Sequence, residues 1–341
     1  VKILVAANIV PFLGGGADYH IEGLAAALRQ HGHEVACLRF PFKFGPPSQI
    51  ERLMDLCEDY DLNRPNGVRV DCLISLQFPA YGVLHDNHRV WVMHQHRAAY
   101  ELYDHAAATD DEARLRERIH AYDNRVLSRI AKRFANSRRV AERLQECSGL
   151  SSEPLYHPPA HADRFFCEAA EPYIFCPSRL ESLKRQDLLI RAVPHIRSPV
   201  GLLIAGDGGQ HANYERLIES VGVGNRVRLL GHITETEKCL YYARSLGVFF
   251  GPKDEDYGYV TLEAMLSSKP IITCTDSGGP LELVLDGHTG LVVPPSPEAV
   301  AEAIDRLYAD RAWAEDLGRS ARRHYDALGI AWSPVVDHLL S

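Results

Sequence analysis

The chain predicts an α/β protein of two domains. Strand-like and helix-like segments alternate in two successive series, and a proline-rich break around His157-Pro158-Pro159-Ala160 separates them. The length of 341 residues suits two units of about 150 to 200 residues each. Alternation of this kind argues for parallel sheets covered by helices on both faces, with ligands at the carboxyl ends of the strands.

The first series opens on a continuous apolar run over 1–7, the pattern of a buried parallel strand. A Gly14-Gly15-Gly16 turn follows, then Ile21, Leu24, Ala25 and Leu28 at helical spacing as far as His31-Gly32. The next strand is expected over 34–38, and looser repeats of the unit fall at 71–75, 89–94 and 133–136, with a long charged helix over 110–130. In the second series, strands are expected over 173–176, 200–205, 226–229, 246–250, 270–273 and 290–293. Helices separate them over 184–195, 213–221, 235–243, 259–267, 279–285 and 298–307. A last helix over 312–328 ends near Gly329, and the apolar tail 332–340 is suited to docking.

Composition narrows the function class. Hydrophobic residues make up 46% and charged residues 24%, an ordinary globular balance. A net charge of −8 gives no general attraction to nucleic acid or to anionic membranes. The longest apolar stretches, such as 200–205, fall far short of the roughly 20 residues a membrane span needs. The eight cysteines include no C-x-x-C pair, which predicts free thiols, and with no visible secretory leader the expected location is the cytoplasm.

The chemistry concentrates in a few loops. Glu255 and Glu263 stand eight positions apart around Gly258, at a loop-to-helix junction. At the rise of a helix they reach points on the order of 10 Å apart, which suits a sugar joined through a diphosphate to a nucleoside. Gly258, Tyr259 and Val260 would offer the helix N-terminus to the phosphates between. Arg179, Lys184 and Arg185 follow the strand over 173–176 and lie where a helix begins; cations there oppose the helix dipole unless an anion binds, and the alternative is a solvated basic turn. Gly206-Asp207-Gly208-Gly209 is either a close-approach loop or a tight capped turn. Gly14-Gly15-Gly16 is not G-x-G-x-x-G and lacks a well-placed acidic ribose ligand, so dinucleotide binding is poorly supported. His94 ends a strand and can hydrogen-bond a sugar hydroxyl, although most of the 17 histidines are expected to be structural. Asp254-Glu255-Asp256 has the D-x-D spacing that holds Mg²⁺ or Mn²⁺, but its entry into a helix N-terminus and the basic residues elsewhere weigh toward no metal. From Arg114 to Arg143 ten Lys or Arg face three acidic residues, a candidate contact for a lipid headgroup or a helix surface balancing the acidic remainder.

Taken in order, Ser178-Arg179-Leu180 with Lys184, Gly206-Asp207-Gly208, Gly231-His232, Glu255 with Glu263-Ala264-Met265, Lys269-Pro270-Ile271-Ile272, Gly278-Gly279-Pro280-Leu281-Glu282 and Asp286-Gly287-His288-Thr289-Gly290 resemble a retaining GT-B glycosyltransferase of family four. The first half is similar more loosely, through Gly14-Gly15-Gly16, the His94 segment and Phe134-Ala135-Asn136-Ser137. The resemblance implies two Rossmann-like domains facing across a cleft: 1–160, rejoined by the C-terminal segment 325–341, on the acceptor side, and 170–320 holding a nucleotide-sugar donor. It implies that Arg179 and Lys184 hold the diphosphate, Glu255 the sugar hydroxyls and Glu263 the ribose, with Gly258 to Val260 near the phosphates. His94 would stand beside sugar and acceptor, Gly15 and Gly16 would approach the donor, and Gly208 and Ile233 would lie near the base. Pro252-Lys253-Asp254 and Tyr259 depart from the usual pattern and bear on which sugar fits.

The implied activity is sugar transfer with retention to an acceptor hydroxyl, with UDP favoured as donor nucleotide, GDP next, and no cofactor or metal. The acceptor is a glycan, a lipid carrier or a small natural product. An epimerase or hydrolase on the same fold, or a nucleotide-sugar-binding protein without turnover, are the alternatives.

Overall fold

The opening apolar run becomes β1 (Lys2–Ile9), with its six middle residues buried. In this computed structural model, which describes residues 1–12 and 14–341, the chain divides into two units, Val1–His157 with Ala331–Ser341, and Pro158–Ile330. The first unit continues through α1 (Gly16–Gln30), β2 (Glu34–Pro41), α2 (Pro47–Asp59), β3 (Cys72–Ser75), β4 (His88–Val92), α3 (Asp110–Arg129), β5 (Lys132–Ala135), α4 (Arg138–Ser148) and β6 (Glu153–Pro154). Its sheet is parallel throughout, in the order β2-β1-β3-β4-β5-β6. The helix α2, which the sequence analysis passes over, buries Ile50, Leu53, Met54 and Cys57 at helical spacing.

The basic stretch 114–143 meets acids and carbonyls. Arg118 pairs with Glu51 and Asp55 of α2, and Arg125 grips Glu58 at 2.6 and 2.8 Å. Arg143 faces Glu101, Arg114 pairs with Asp111, and Arg129 donates to the Gly82 carbonyl. These five arginines each have a partner within the protein.

The second unit runs β7 (Tyr173–Pro177), α5 (Gln186–Ala192), β8 (Gly201–Ala205), α6 (His211–Val221), β9 (Val227–Gly231), α7 (Glu235–Arg244), β10 (Gly247–Phe249), α8 (Tyr259–Leu266), β11 (Ile271–Cys274), β12 (Gly290–Val293), α9 (Pro297–Ala309) and α10 (Arg311–Leu328). Its sheet is also parallel, in the order β12-β11-β10-β7-β8-β9. Two helices are shorter than the spacing predicts. Arg185 takes a left-handed conformation (φ 54°) and delays α5 to Gln186, while 279–285 forms only a short 3₁₀ turn, Gly279–Glu282.

Residues 325–328 extend α10, where Tyr325 is buried with Ala314, Leu317 and Ala321 against the second unit. Gly329 stops this helix at φ 62°, and the chain rejoins the first unit at Ala331. The apolar tail forms α11 (Trp332–Leu340), which buries Val335, Val336 and Leu339 and packs on α1. Gly23 of α1 makes room for it: a Cβ there would run into the Trp332 ring. Among the described residues no helix is long and apolar enough to cross a membrane.

Candidate functional site

A parallel sheet puts all strand carboxyl ends on one edge, and the order of the second sheet reverses direction between β7 and β10. The crevice at such a reversal is where open α/β sheets bind ligands. Arg179 and Lys184 follow β7, and Glu255 follows β10, so the predicted residues flank the reversal. Lys184 Nζ lies 2.5 Å from Glu255 Oε2. Both side chains keep an exposed edge, 19% and 16% of their surface, and the ammonium stands 5.6 Å from the centroid of the Phe250 ring. The Glu255 backbone is pinned on both sides, donating to the Ser277 carbonyl at 2.9 Å and accepting from the Gly279 amide at 2.8 Å. Gly278 permits this approach at φ 71°, since a Cβ would fall 2.6 Å from the Glu255 carbonyl oxygen.

The three basic residues of the turn separate by role. The Arg185 guanidinium donates to the carbonyls of Gly251 and Pro252, each at 2.7 Å, and forks onto Asp276 at 2.6 and 2.9 Å. It ties the loop after β10 in place and is spent on protein partners. Arg179 is exposed and its guanidinium has no hydrogen bond or ion pair among the described residues. Its loop is shaped by the glycines after β8: Leu180 N donates to the Asp207 carbonyl and Gln210 N to that of Leu180, both at 2.9 Å. A Cβ on Gly206 (φ 124°) would strike the Ser178 carbonyl, and one on Gly208 would fall 2.5 Å from the Leu180 oxygen. The close approach that Gly208 allows is therefore to the backbone beside Arg179.

Glu263, on the second turn of α8, is buried and doubly held. Its Oε1 accepts from Lys238 Nζ at 3.0 Å and its Oε2 from the Tyr242 hydroxyl at 2.7 Å. Lys238 also pairs with Glu235 at 2.8 Å. Burial works against the Lys238 ammonium, but Glu263 and Glu235 outweigh it and hold its pKa above the usual lysine range. The N-terminus of α8 starts at Gly258 (φ 83°), where a Cβ would fall 2.7 Å from the Phe250 ring, and no side chain caps it. Tyr259 and Val260 form its first turn. Ile233 is half-buried just before Thr234, which caps α7 with Glu237.

In the first unit the strand order reverses between β1 and β3, and the glycine turn follows β1. Gly15 caps α1, its amide donating to Asp18 Oδ2 at 3.1 Å, while Arg39 holds Asp18 Oδ1 at 2.6 Å. A Cβ on Gly14 or Gly15 would meet nothing within 4 Å, so packing does not require glycine there; Gly16 opens the helix. His94 follows β4, half-buried, with Nδ1 2.7 Å from the Gln95 carbonyl. A carbonyl only accepts, so Nδ1 carries a proton, and in the neutral tautomer Nε2 is then the acceptor. His96 is half-buried beside Phe42 and Phe78, and burial lowers its pKa to about 4.

Comparison with known proteins adds a family match over part of the chain. Residues 164–324 match the model of glycosyl transferases group 1. The match lies within the second unit, which is similar to the group 1 glycosyl transferases. It is 34% identical over 173 residues to the GDP-mannose-dependent alpha-(1-6)-phosphatidylinositol monomannoside mannosyltransferase of Mycolicibacterium smegmatis, covering 47% of this chain and 44% of that protein. It is 34% identical over 150 residues to an exopolysaccharide phosphotransferase of Streptomyces coelicolor, covering 41% of this chain and 15% of the relative. The matched stretch thus spans less than half the length of either relative. Among solved structures, a sucrose-phosphate synthase from Thermosynechococcus elongatus superposes with a TM-score of 0.80 over 98% of this chain and 96% of its own, at 19% identity. The fold is GT-B.

Lys238 and Tyr242 are not among the residues expected from the sequence. They lie 25 and 21 positions before Glu263. Their i, i+4 spacing places them on one face of α7, but nothing in that spacing says which acid they meet. Among the described residues the second unit offers an unpartnered guanidinium at Arg179, a lysine paired with Glu255, a helix start without a side-chain cap and a fixed carboxylate, a set suited to an anion flanked by hydroxyls.

Proposed function

We propose that the chain is a retaining glycosyltransferase that moves a sugar from a nucleotide-diphosphate sugar to an acceptor hydroxyl. The observation that carries this reading is the Lys184–Glu255 pair at the strand-order reversal, with the free Arg179 guanidinium on the same loop as Lys184. A diphosphate arriving there meets Arg179 at once and competes with Glu255 for Lys184. As Lys184 turns to the phosphate, Glu255 is released toward the sugar hydroxyls. Glu263 takes the ribose, and the α8 start faces the phosphates.

Departure of the diphosphate leaves oxocarbenium-like charge on the sugar, so holding the departing charge is the main contribution to rate. Glu255, released by Lys184 when the donor binds, serves as a hydroxyl ligand rather than a covalent nucleophile. The acceptor hydroxyl then enters on the face the phosphate leaves, and a phosphate oxygen takes its proton. His94, with Nε2 as acceptor, suits a hydroxyl of sugar or acceptor. The open space over Gly14 and Gly15 suits close approach of a ligand to backbone. The donor nucleotide is UDP or GDP, no metal or further cofactor is required, and the acceptor is a glycan, a lipid carrier or a small natural product. The mannosyltransferase relative is GDP-mannose-dependent by name, which keeps GDP beside UDP. The stretch shared with the phosphotransferase is 15% of that protein, so its name carries no reaction over.

The test is a thermal-shift screen with UDP, GDP, ADP and their sugars, followed by product analysis with and without acceptors, in EDTA. Product with retained anomeric configuration that requires an acceptor and survives EDTA supports the reading. Turnover without acceptor favours an epimerase or hydrolase, and binding without turnover favours a sensor.

A further inference from the structure

The carboxylate of Glu263 is held in a way that leaves a defined remainder. A carboxylate has two oxygens with about four lone-pair positions. Lys238 occupies one position on Oε1 and Tyr242 one on Oε2, which leaves one acceptor position on each oxygen. Two adjacent acceptors on one carboxylate match two hydroxyls on neighbouring carbons, the 2′,3′-diol of a ribonucleoside.

The support beneath is built as a unit. Lys238 and Tyr242 lie one helical turn apart on α7. Tyr242 is fully buried with Phe175 and Phe165 packed edge-on at 5.0 and 5.6 Å, and the Lys238 ammonium stands 5.7 Å from the centroid of Phe165. Glu235 takes the other side of the ammonium at 2.8 Å. Rotation of Glu263 about its last torsion would break both bonds at once, so its two free positions have a fixed direction.

We infer that Lys238 and Tyr242 are positioning residues that orient Glu263 for a vicinal ribose diol and so set the preference for ribonucleotides over deoxyribonucleotides. The inference rests on the proposed donor site and names how it tells sugars apart. It separates two effects a general structural role would merge: loss of the positioning bond lowers affinity for the ribonucleotide while leaving affinity for the 2′-deoxynucleotide unchanged.

The test is calorimetric titration of the full chain with UDP and 2′-deoxy-UDP and with GDP and 2′-deoxy-GDP. The wild-type protein is expected to prefer the ribonucleotide of its better pair by roughly tenfold or more, the scale of one charge-assisted hydrogen bond. Tyr242→Phe, which keeps the ring and removes only the hydroxyl, is expected to cut that ratio to about threefold or less, through the ribonucleotide alone. Lys238→Met is expected to do the same and Lys238→Arg to restore much of it; Tyr242→Phe carries the test if Lys238→Met does not fold. A wild-type preference kept in full by Tyr242→Phe overturns the positioning role while leaving the donor site intact. A wild-type protein that binds both members of each pair equally overturns the placement of ribose on Glu263, and the inference with it.

Discussion

Lys184 and Glu255, 71 positions apart in the chain, meet at 2.5 Å across the reversal of strand order in the second sheet. A cation suited to phosphate and an acid suited to sugar hydroxyls thus neutralise each other, and a donor must exchange that pair. Glu255→Gln is therefore expected to bind UDP or GDP several-fold more tightly, because phosphate no longer competes for Lys184. The same variant is expected to lose about 10- to 100-fold in affinity or turnover with the nucleotide sugar, whose hydroxyls lose a charged acceptor. Calorimetry with the nucleotide and its sugar side by side checks this, and equal shifts in both would contradict the exchange.

The glycines after β8 are predicted to act through the Arg179 loop. Gly206→Ala, at φ 124° and against the Ser178 carbonyl, is expected to cost at least about 1 kcal/mol and to lower Tm by roughly 2–4 °C. Nucleotide affinity should fall with it, since the loop carries Arg179. Unchanged melting would mean the loop yields without cost.

Gly23→Ala is predicted to loosen α11, because its Cβ meets the Trp332 ring. Overpacking of this kind costs about 1–3 kcal/mol, and Gly23→Ala with Trp332→Ala should recover part of it. Thermal melting of both variants decides; strict additivity would contradict the contact.

Asp123 predicts a pH dependence. It is buried, accepts from Tyr81 at 2.6 Å and Tyr100 at 2.7 Å, and burial raises its pKa from 3.8 to about 7 despite those hydroxyls. Between pH 4 and 7 the folded protein holds a proton that the unfolded chain releases, so this residue's contribution is fully present below about pH 4 and lost as pH rises through 7. Buried histidines such as His20, lowered to about 3, act in the opposite direction, so the quantity to measure is the difference from Asp123→Asn. Wild-type stability relative to Asp123→Asn is expected to fall across that window, by on the order of 4 kcal/mol at most. A flat difference would contradict it.

Much of this was legible in the chain because parallel strands buried on both faces leave continuous apolar runs, and the loops after them carry polar residues at the ligand edge. Glu255, Glu263, Lys184 and Arg179 all lie in such loops or on the helix that follows one. What spacing did not reveal was direction and partner. Arg185 neighbours Lys184, yet its left-handed backbone turns it to Asp276, and Gly208 serves a neighbouring backbone. Lys238 and Tyr242 reach Glu263 only through packing of α7 near α8, a contact between residues of ordinary type. The helix α2 carried a readable pattern at Ile50, Leu53, Met54 and Cys57, and Pro46 and Pro47 stand at its start, where proline suits a first helical turn.

The central claim is that Arg179 and Lys184 hold the diphosphate of a nucleotide donor. Calorimetric titration of UDP and GDP into wild-type protein, Arg179→Ala and Lys184→Ala tests it most directly. The account predicts that each variant loses roughly 10- to 100-fold in affinity, the scale of a charge-assisted phosphate contact, and that added salt weakens wild-type binding more than either variant's. Unchanged affinity in both variants would contradict it.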